Sequence, residues 1–521
     1  MRIILTLLLL YAPLFIRAQP WFSTSIDVEE QNNSGWQVIV DEAQEELLLV
    51  SPNRCDTTRE RVCTIIARTD WAGNLLGYAK IDTHFVASVS ESLIKVSDST
   101  YYMYARPSPA EEENVQILKL NQDFAVEQEW NFGAELEDEN PVYWAKHEGG
   151  YLASSITRGE GEPITTFYFL NDSMEILHQA MYPESESPYG IMPDNDLIAT
   201  QDGNFVSSGL VRNNEGRFQG FTKFTPEMEV LWHSRLEEDD FSRNNIAKIV
   251  ELNNGNIATN WEEPNLTDPL DVTISFINLR MAALDGMTGD TVWTNTLWMT
   301  RPAYPYVIKL NRANNGDIIG IGYISRPPVP EEWEEIIDNA GFIFRMSPEG
   351  ELKWKRYIFD NRSPLAFLSY FNNGAELPNG DLVFTGTYQD TFPNQEPFIN
   401  NINIWLVRTD SMGCLVPGCG NLQIVTDSTI ITSTREEVLT NTAPQLMARA
   451  YPNPTTDHWV LDWGYPGTAH LQLTDMQGRV LKEAEVRQGQ QDISAEGLPP
   501  GIYILVLHSA EVSGSLKVVK R

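Results

Sequence analysis

The sequence predicts an all-β chain, a seven-bladed β-propeller followed by a small C-terminal β-sandwich. Three observations predict it. A unit of four short strands recurs seven times between 19 and 420, Gly/Asn/Asp/Pro turns divide its strands, and a spare strand stands ahead of the first unit. Runs of four to seven β-branched and aromatic residues between such turns are hairpin patterns rather than helix patterns.

The unit is plainest from Val307 to Ile358. Val307-Ile-Lys-Leu310 leads through Asn314-Asn-Gly-Asp317 to Ile318-Ile-Gly-Ile-Gly-Tyr323, and Phe342-Ile-Phe-Arg345 leads through Ser347-Pro-Glu-Gly350 to Leu352–Ile358. With the second strand as marker, the copies start near Leu47, Tyr101, Tyr151, Phe205, Ile257, Ile318 and Leu382, at steps of 54, 50, 54, 52, 61 and 64 residues. Four-stranded units at this period make a propeller, whose radial repetition leaves few open sheet edges. The seventh unit ends in Ser411–Cys419, too rich in Gly and Pro for an outer strand, whereas Trp21–Ile26 matches the outer strands that begin at Trp232, Trp293 and Trp354. The N-terminal strand is therefore expected to complete the last blade.

The ends have their own composition. Residues 1–18 show a basic start, a short apolar run and a small residue at Ala18, the layout of a secretory signal peptide whose removal leaves Gln19 first. A Ser/Thr-rich stretch reads as a linker over 421–449, and 450–521 reads as a second domain of about seven short strands. With 37 Lys and Arg against 72 Asp and Glu, the net charge of −35 repels nucleic acid and anionic membranes. The four cysteines fall in two close pairs, Cys55/Cys63 and Cys414/Cys419. Of the three possible connectivities, two local disulfides are the simplest in an exported chain. No metal or cofactor is expected, since neither pair has His or carboxylate neighbours at ligand spacing.

The last domain resembles the C-terminal sorting domain of the type IX secretion system of Bacteroidetes. The likeness rests on Tyr451-Pro452-Asn453-Pro454-Thr455, then Asp475-Met-Gln-Gly478-Arg-Val-Leu481, then Leu498-Pro-Pro-Gly501-Ile-Tyr503-Ile504, in that order. It implies export, engagement of the secretion machinery, and release or attachment at the cell surface. The ring resembles, more loosely, propellers with pyrroloquinoline-quinone-type repeats: Ala283-Leu-Asp-Gly-Met-Thr-Gly-Asp-Thr-Val-Trp293 fits their tryptophan-docking motif, in this unit alone. The likeness concerns packing, because no residue set for the quinone is found.

Chemistry-bearing motifs are scarce. There is no Gly-x-Ser-x-Gly, His-Glu-x-x-His, phosphate loop or Cys-x-x-Cys. Ser92-Leu-Ile-Lys95 lies in a strand rather than at a helix start, and His84, His147, His178 and His233 are scattered. No catalytic residue is assigned. The loops between second and third strands differ most among units, and they carry Trp261, Trp333, Phe392 and Phe398 beside acids and prolines. Exposed aromatics among carboxylates suit a glycan or a peptide. The expected role is a monomeric, non-catalytic binding module; the alternative is a carbohydrate-active hydrolase or lyase working through loop carboxylates.

Overall fold

The computed structural model describes residues 21–521 apart from 29–32, 55–61, 87–90, 109–114, 133–138, 158–163, 184–195, 214–215, 237–246, 266–275, 298–303, 326–338, 361–368, 391–400, 426–429, 433–447, 452–454, 475–479, 500 and 509–512. The expected signal peptide, 1–18, lies outside the described residues. No described helix is long and apolar enough to cross a membrane. The chain divides into two compact units, Met1–Glu436 and Glu437–Arg521.

Among the described residues the first unit forms seven sheets, in chain order 37–81, 84–132, 139–183, 196–236, 249–297, 304–360 and 369–409. Each is an antiparallel meander, and each marker strand starts within one residue of its expected position, from Glu46–Arg54 to Leu382–Asp390. Apolar residues on both faces of every sheet create a core on each side of it. One cluster joins Ile66 of the first sheet to Met103 of the second, another Tyr104 of the second to Tyr151 of the third, and so on around. The last cluster packs Leu377, Val383 and Ile404 of the seventh sheet on Val38, Leu47 and Ile65 of the first, which closes a β-propeller.

Closure uses the spare strand. Phe22–Ile26 pairs antiparallel with Asn401–Thr409, from Phe22 opposite Arg408 to Ile26 opposite Ile404, as the outermost strand of the seventh sheet. The expected linker, by contrast, does not begin at 421. Leu422–Val425 pairs parallel with the outer strand of the sixth sheet, Tyr357 opposite Leu422, and Ile430–Thr432 pairs with it in turn.

Local chemistry explains the turns between third and fourth strands. In all seven a leading Asp, Asn, Thr or Ser takes backbone N–H groups two and three or four residues on, as Asp70, Asn121, Asn171, Thr225, Asp285, Ser347 and Asp410 do. Each turn also holds one residue at positive φ: Gly73, Phe124, Met174, Met228, Gly289, Gly350 and Gly413. The outer strand of the preceding sheet decides which type stands there. A Cβ on Gly73, Gly289, Gly350 or Gly413 would strike Phe22, Trp232, Trp293 or Trp354 respectively. Where the outer strand offers Gly77, Gln128 or His178 at that place, the next turn carries Phe124, Met174 or Met228 and fills the gap itself. Aromatic docking is therefore not confined to the fifth sheet, as the motif alone suggested.

Among its described residues the second unit has five strands, where about seven short ones were expected. Two are long, His458–Thr474 and Val480–Ser494, with a register break between Trp463 and Thr468. One core joins Trp459 and Leu461 before the break to Leu471, Leu473 and Leu505 after it.

Candidate functional site

Pairing register brings seven polar positions to one level of the innermost strands, each opposite the residue three places after the sequence marker of its unit. Gln37 faces Val50, Tyr143 faces Ser154, Asp196 faces Ser208, Lys309 faces Ile321 and Asn373 faces Thr385. Ser92 and Lys248 hold the same level, bonded to Tyr104 N and to Asn260 Oδ1 at 2.8 and 3.0 Å. Register breaks at Pro141/Tyr143, Val307/Lys309 and Phe371/Asn373 immediately precede three of them. Such a bulge re-aims the side chain that follows it. Innermost strands line the central channel of a propeller, so these residues form a polar ring around it. Apart from Tyr143, none is more than 6% exposed.

The ring is bonded to itself across the channel. Lys309 Nζ of the sixth sheet donates to Glu91 Oε1 of the second at 2.6 Å, and Lys248 Nζ of the fifth lies 3.3 Å from the Tyr143 hydroxyl of the third. Glu91 adopts φ 61°, a conformation costly for a non-glycine residue and found where the surroundings enforce it. Asp196 accepts the backbone N–H of Ile249 at 3.1 Å. Gln37 spans the first two sheets, giving its amide N–H to Leu93 O and taking Leu93 N–H, each at 2.9 Å.

Equivalent positions do not make equivalent lysines. Burial disfavours the charge of Lys309, but Glu91 and Asp196 outweigh it and hold the ammonium above the ordinary lysine range. Burial pushes Lys248 down, with Asp196 opposing and the Lys309 charge reinforcing the shift. The ring thus pairs a firmly cationic lysine with one biased toward the neutral amine.

The aromatic face expected from the sequence is only partly visible. Trp333, Phe392 and Phe398 lie outside the described residues, as do 266–275, 326–338 and 391–400 of the loops that carry them. Trp261 is described, and it is not an exposed loop residue. It sits within the strand Ile257–Asn265, 3% exposed, packed with Trp232, Leu236 and Ala282, with the Arg280 guanidinium 5.6 Å from its ring centre. The other six sheets place Ser51, Ala105, Ser155, Gly209, Gly322 and Gly386 at that position. At Gly322 and Gly386 a Cβ would run into the carbonyls of Tyr306 and Tyr370 on the innermost strand. In the fifth sheet that strand is only Ile249–Glu251, which leaves room for an indole.

The remaining expected residues fall as follows. Cys414 and Cys419 are joined by a disulfide, and Cys63 is also disulfide-bonded while Cys55 lies outside the described residues. Ser92 belongs to the ring, but Lys95 is bonded to Asp41 and Asp98 at 2.8 and 2.9 Å, so the two form no nucleophile–base pair. In the second unit the exposed Tyr451 hydroxyl accepts from Gln490 at 2.7 Å. The buried Tyr503 donates to Pro499 O at 2.6 Å two residues after Gly501 opens its strand; Pro452, Asn453, Pro454 and Gly478 are outside the described residues. Sequence reasoning missed the ring. Lysine inside the apolar strand Val307–Leu310 was its visible signal, but alignment with Lys248 or Asp196 needs the pairing register.

Comparison with known proteins bears mainly on the second unit. No curated protein matches the chain. Among solved structures it is similar to a protein of unknown function from Bacteroides caccae, at 13% identity and TM-score 0.33, over 60% of this chain and 91% of that one. It is similar to the polysaccharide lyase Uly1, at 9% identity and TM-score 0.44, over 72% and 90%. It is also similar to the β-propeller domain of the Trilobed protease from Pyrococcus furiosus, at 10% identity and TM-score 0.41, over 81% and 98%. Likenesses at this level carry nothing about chemistry. Residues 449–521 match the family described as the secretion system C-terminal sorting domain. The chain is thus a type IX secretion cargo, a β-propeller exported for secretion or attachment to the cell surface.

Proposed function

We propose that the exported ring is a seven-bladed, monomeric, non-catalytic binding module whose glycan or protein ligand approaches the channel from the face of the loops between second and third strands. The polar ring carries this reading. Its charged groups are engaged within the fold, Lys309 with Glu91 across the channel and Asp196 with the Ile249 backbone of the neighbouring sheet, so they shape and charge a site rather than stand spaced around a scissile bond. The sorting domain engages the secretion machinery and takes no part in that recognition.

One observation favours the alternative, an enzyme acting on a polysaccharide. Burial disfavours the charge of Lys248, which lies 3.3 Å from the Tyr143 hydroxyl, and a proton transfer between amine and phenol needs that proximity. Incubating the purified protein with a panel of polysaccharides, while recording both retained protein and new reducing or unsaturated ends, separates the two. Retention without cleavage is expected. Cleavage that is lost in Lys248→Met would replace the binding reading with the enzymatic one, and neither retention nor cleavage would reject a glycan as the ligand.

A further inference from the structure

The sixth sheet carries an outer strand unlike the others. All seven residues from Trp354 to Asp360 are buried, whereas the outer strands of the first, second, fourth and fifth sheets bury one or two each. Leu422–Val425 makes the difference by lying along it, with Leu422 and Ile424 in the core shared with the fifth sheet and Val425 in the core shared with the seventh. At its far end Val425 stands opposite Asp360, the carboxylate that accepts from Ser23 of the closing strand at 2.7 Å. Sixth sheet, returning segment and closing strand therefore meet at one buried acid.

The segment is clasped where it arrives. Gln423, fully buried, accepts the Leu415 N–H at 2.6 Å and donates to Gly413 O at 2.8 Å, so one side chain grips both neighbours of Cys414. Asn421 O takes the Tyr357 N–H at 2.7 Å, and its Oδ1 takes Arg356 Nη1 at 3.1 Å. Gly413 and Gln423 lie ten positions apart along the chain, and the disulfide from Cys414 to Cys419 cuts that path short. A shorter path lowers the entropy lost when the clasp closes. Cys414 is 2% exposed but Cys419 is part-exposed, which puts the bridge within reach of a thiol.

We propose that Leu422–Val425 is a strap under thiol control. With the bridge joined it seals the sixth sheet and buttresses the closing strand; with the bridge reduced it lifts from Tyr357–Asp360. A dithiol opens the bridge by exchange: its thiolate attacks Cys419 Sγ, the bond to Cys414 Sγ breaks, and that sulfur leaves as a thiolate and takes up a proton. The second thiol then displaces Cys419, which is protonated in turn, and the dithiol departs as a cyclic disulfide. A disulfide-donating partner runs the same exchange backward. Thiols persist in a reducing compartment and are paired in an oxidising one, so the strap tightens as this exported chain leaves the cell.

The test is hydrogen exchange on the whole protein, oxidised, reduced with dithiothreitol, and as Cys414→Ala/Cys419→Ala, in which the bridge at Cys63 stays joined. Without the Cys414–Cys419 bridge, exchange at Leu422–Val425 and Tyr357–Asp360 is expected to quicken by about tenfold or more. That at Phe22–Ile26 should follow through Asp360, while the third-sheet amides of Tyr151–Ser155 keep their rate. Gln423→Ala keeps the bridge and breaks the grip, so it should loosen the same amides. Unchanged exchange at Leu422–Val425 in the reduced protein and the double variant overturns the proposal. So does an equal rise in the third sheet, the mark of a bridge that only stabilises the ring as a whole. Should the double variant fail to fold, reduction of the folded natural protein decides between the same outcomes, with the amides of Asn53 and Thr64 reporting the bridge at Cys63 separately.

Discussion

Replacing Ser23 by alanine removes one oxygen atom from the strand that closes the ring, and the structure sets its cost. Ser23 Oγ donates to Asp360 Oδ2 at 2.7 Å and accepts the indole N–H of Trp405 at 2.9 Å. Both partners are fully buried, whereas Ser23 is part-exposed on the outermost strand. A hydrogen bond to a charged acceptor contributes about 1.5–3 kcal/mol, and a buried donor left without its acceptor costs about 1–3 kcal/mol. Ser23→Ala should therefore destabilise the ring by about 2.5–6 kcal/mol, far more than a surface substitution, which stays within ~0.5 kcal/mol. The bond to Asp360 also ties the seventh sheet to the sixth, so the loss should reach beyond one strand pair. Urea unfolding followed by tryptophan fluorescence measures it, with the exposed Ser99→Ala as control. Hydrogen exchange should show the amides of Phe22–Ile26 and Asn401–Thr409 losing protection together. If Ser23→Ala unfolds with the control, the strand is an ornament on a ring that holds without it, and the closure argument fails.

Two further outcomes follow from the charged groups. Glu91→Gln should destabilise the protein more than Lys309→Met does: the first leaves a buried ammonium without the carboxylate 2.6 Å away, whereas the second leaves a half-exposed carboxylate that water can solvate; equal effects in thermal melts would refute the asymmetry. Asp202 provides an acid-side test. Burial works against its charge, but Lys223, Thr200 and Asn204 outweigh it and hold the carboxyl at about 2, below its ordinary 3.8. A depressed carboxyl contributes stability that is fully present above 3.8 and is lost as pH falls toward about 2. The advantage of the natural protein over Asp202→Asn should shrink across that window, since it comes from the ion pair between the part-exposed Asp202 and the buried Lys223. An advantage that persists below pH 2 would contradict it.

The units, their turns and the closing strand were legible because each is written locally. Val307–Leu310 and Ile318–Tyr323 announce strands by β-branched content, and Asn315-Gly316 announces the hairpin between them. The Asp-Ser of Asp410–Met412 was readable as turn chemistry, and Asp410 does accept the N–H groups of Met412 and Cys414. Even so, local reading misplaced two things. Trp261 looked like the start of a loop because Glu262, Glu263 and Pro264 follow it, yet the strand runs on to Asn265 through pairing with Phe276–Leu284. Leu422–Val425 looked like linker because only a strand more than sixty residues upstream, Leu352–Asp360, makes it a strand.

The sequence by itself determined the period, the all-β class, the closing strand and the sorting domain. Alternation, turn residues and an ordered terminal motif act over a few residues and need no partner to be read. Only the tertiary structure decided what the period is for. Gln37, Ser92, Tyr143, Asp196, Lys248, Lys309 and Asn373 share no local motif. They meet because seven inner strands pair in one register, three of them bulged at the same step, and a shift of one residue in any strand would turn its polar group out of the channel.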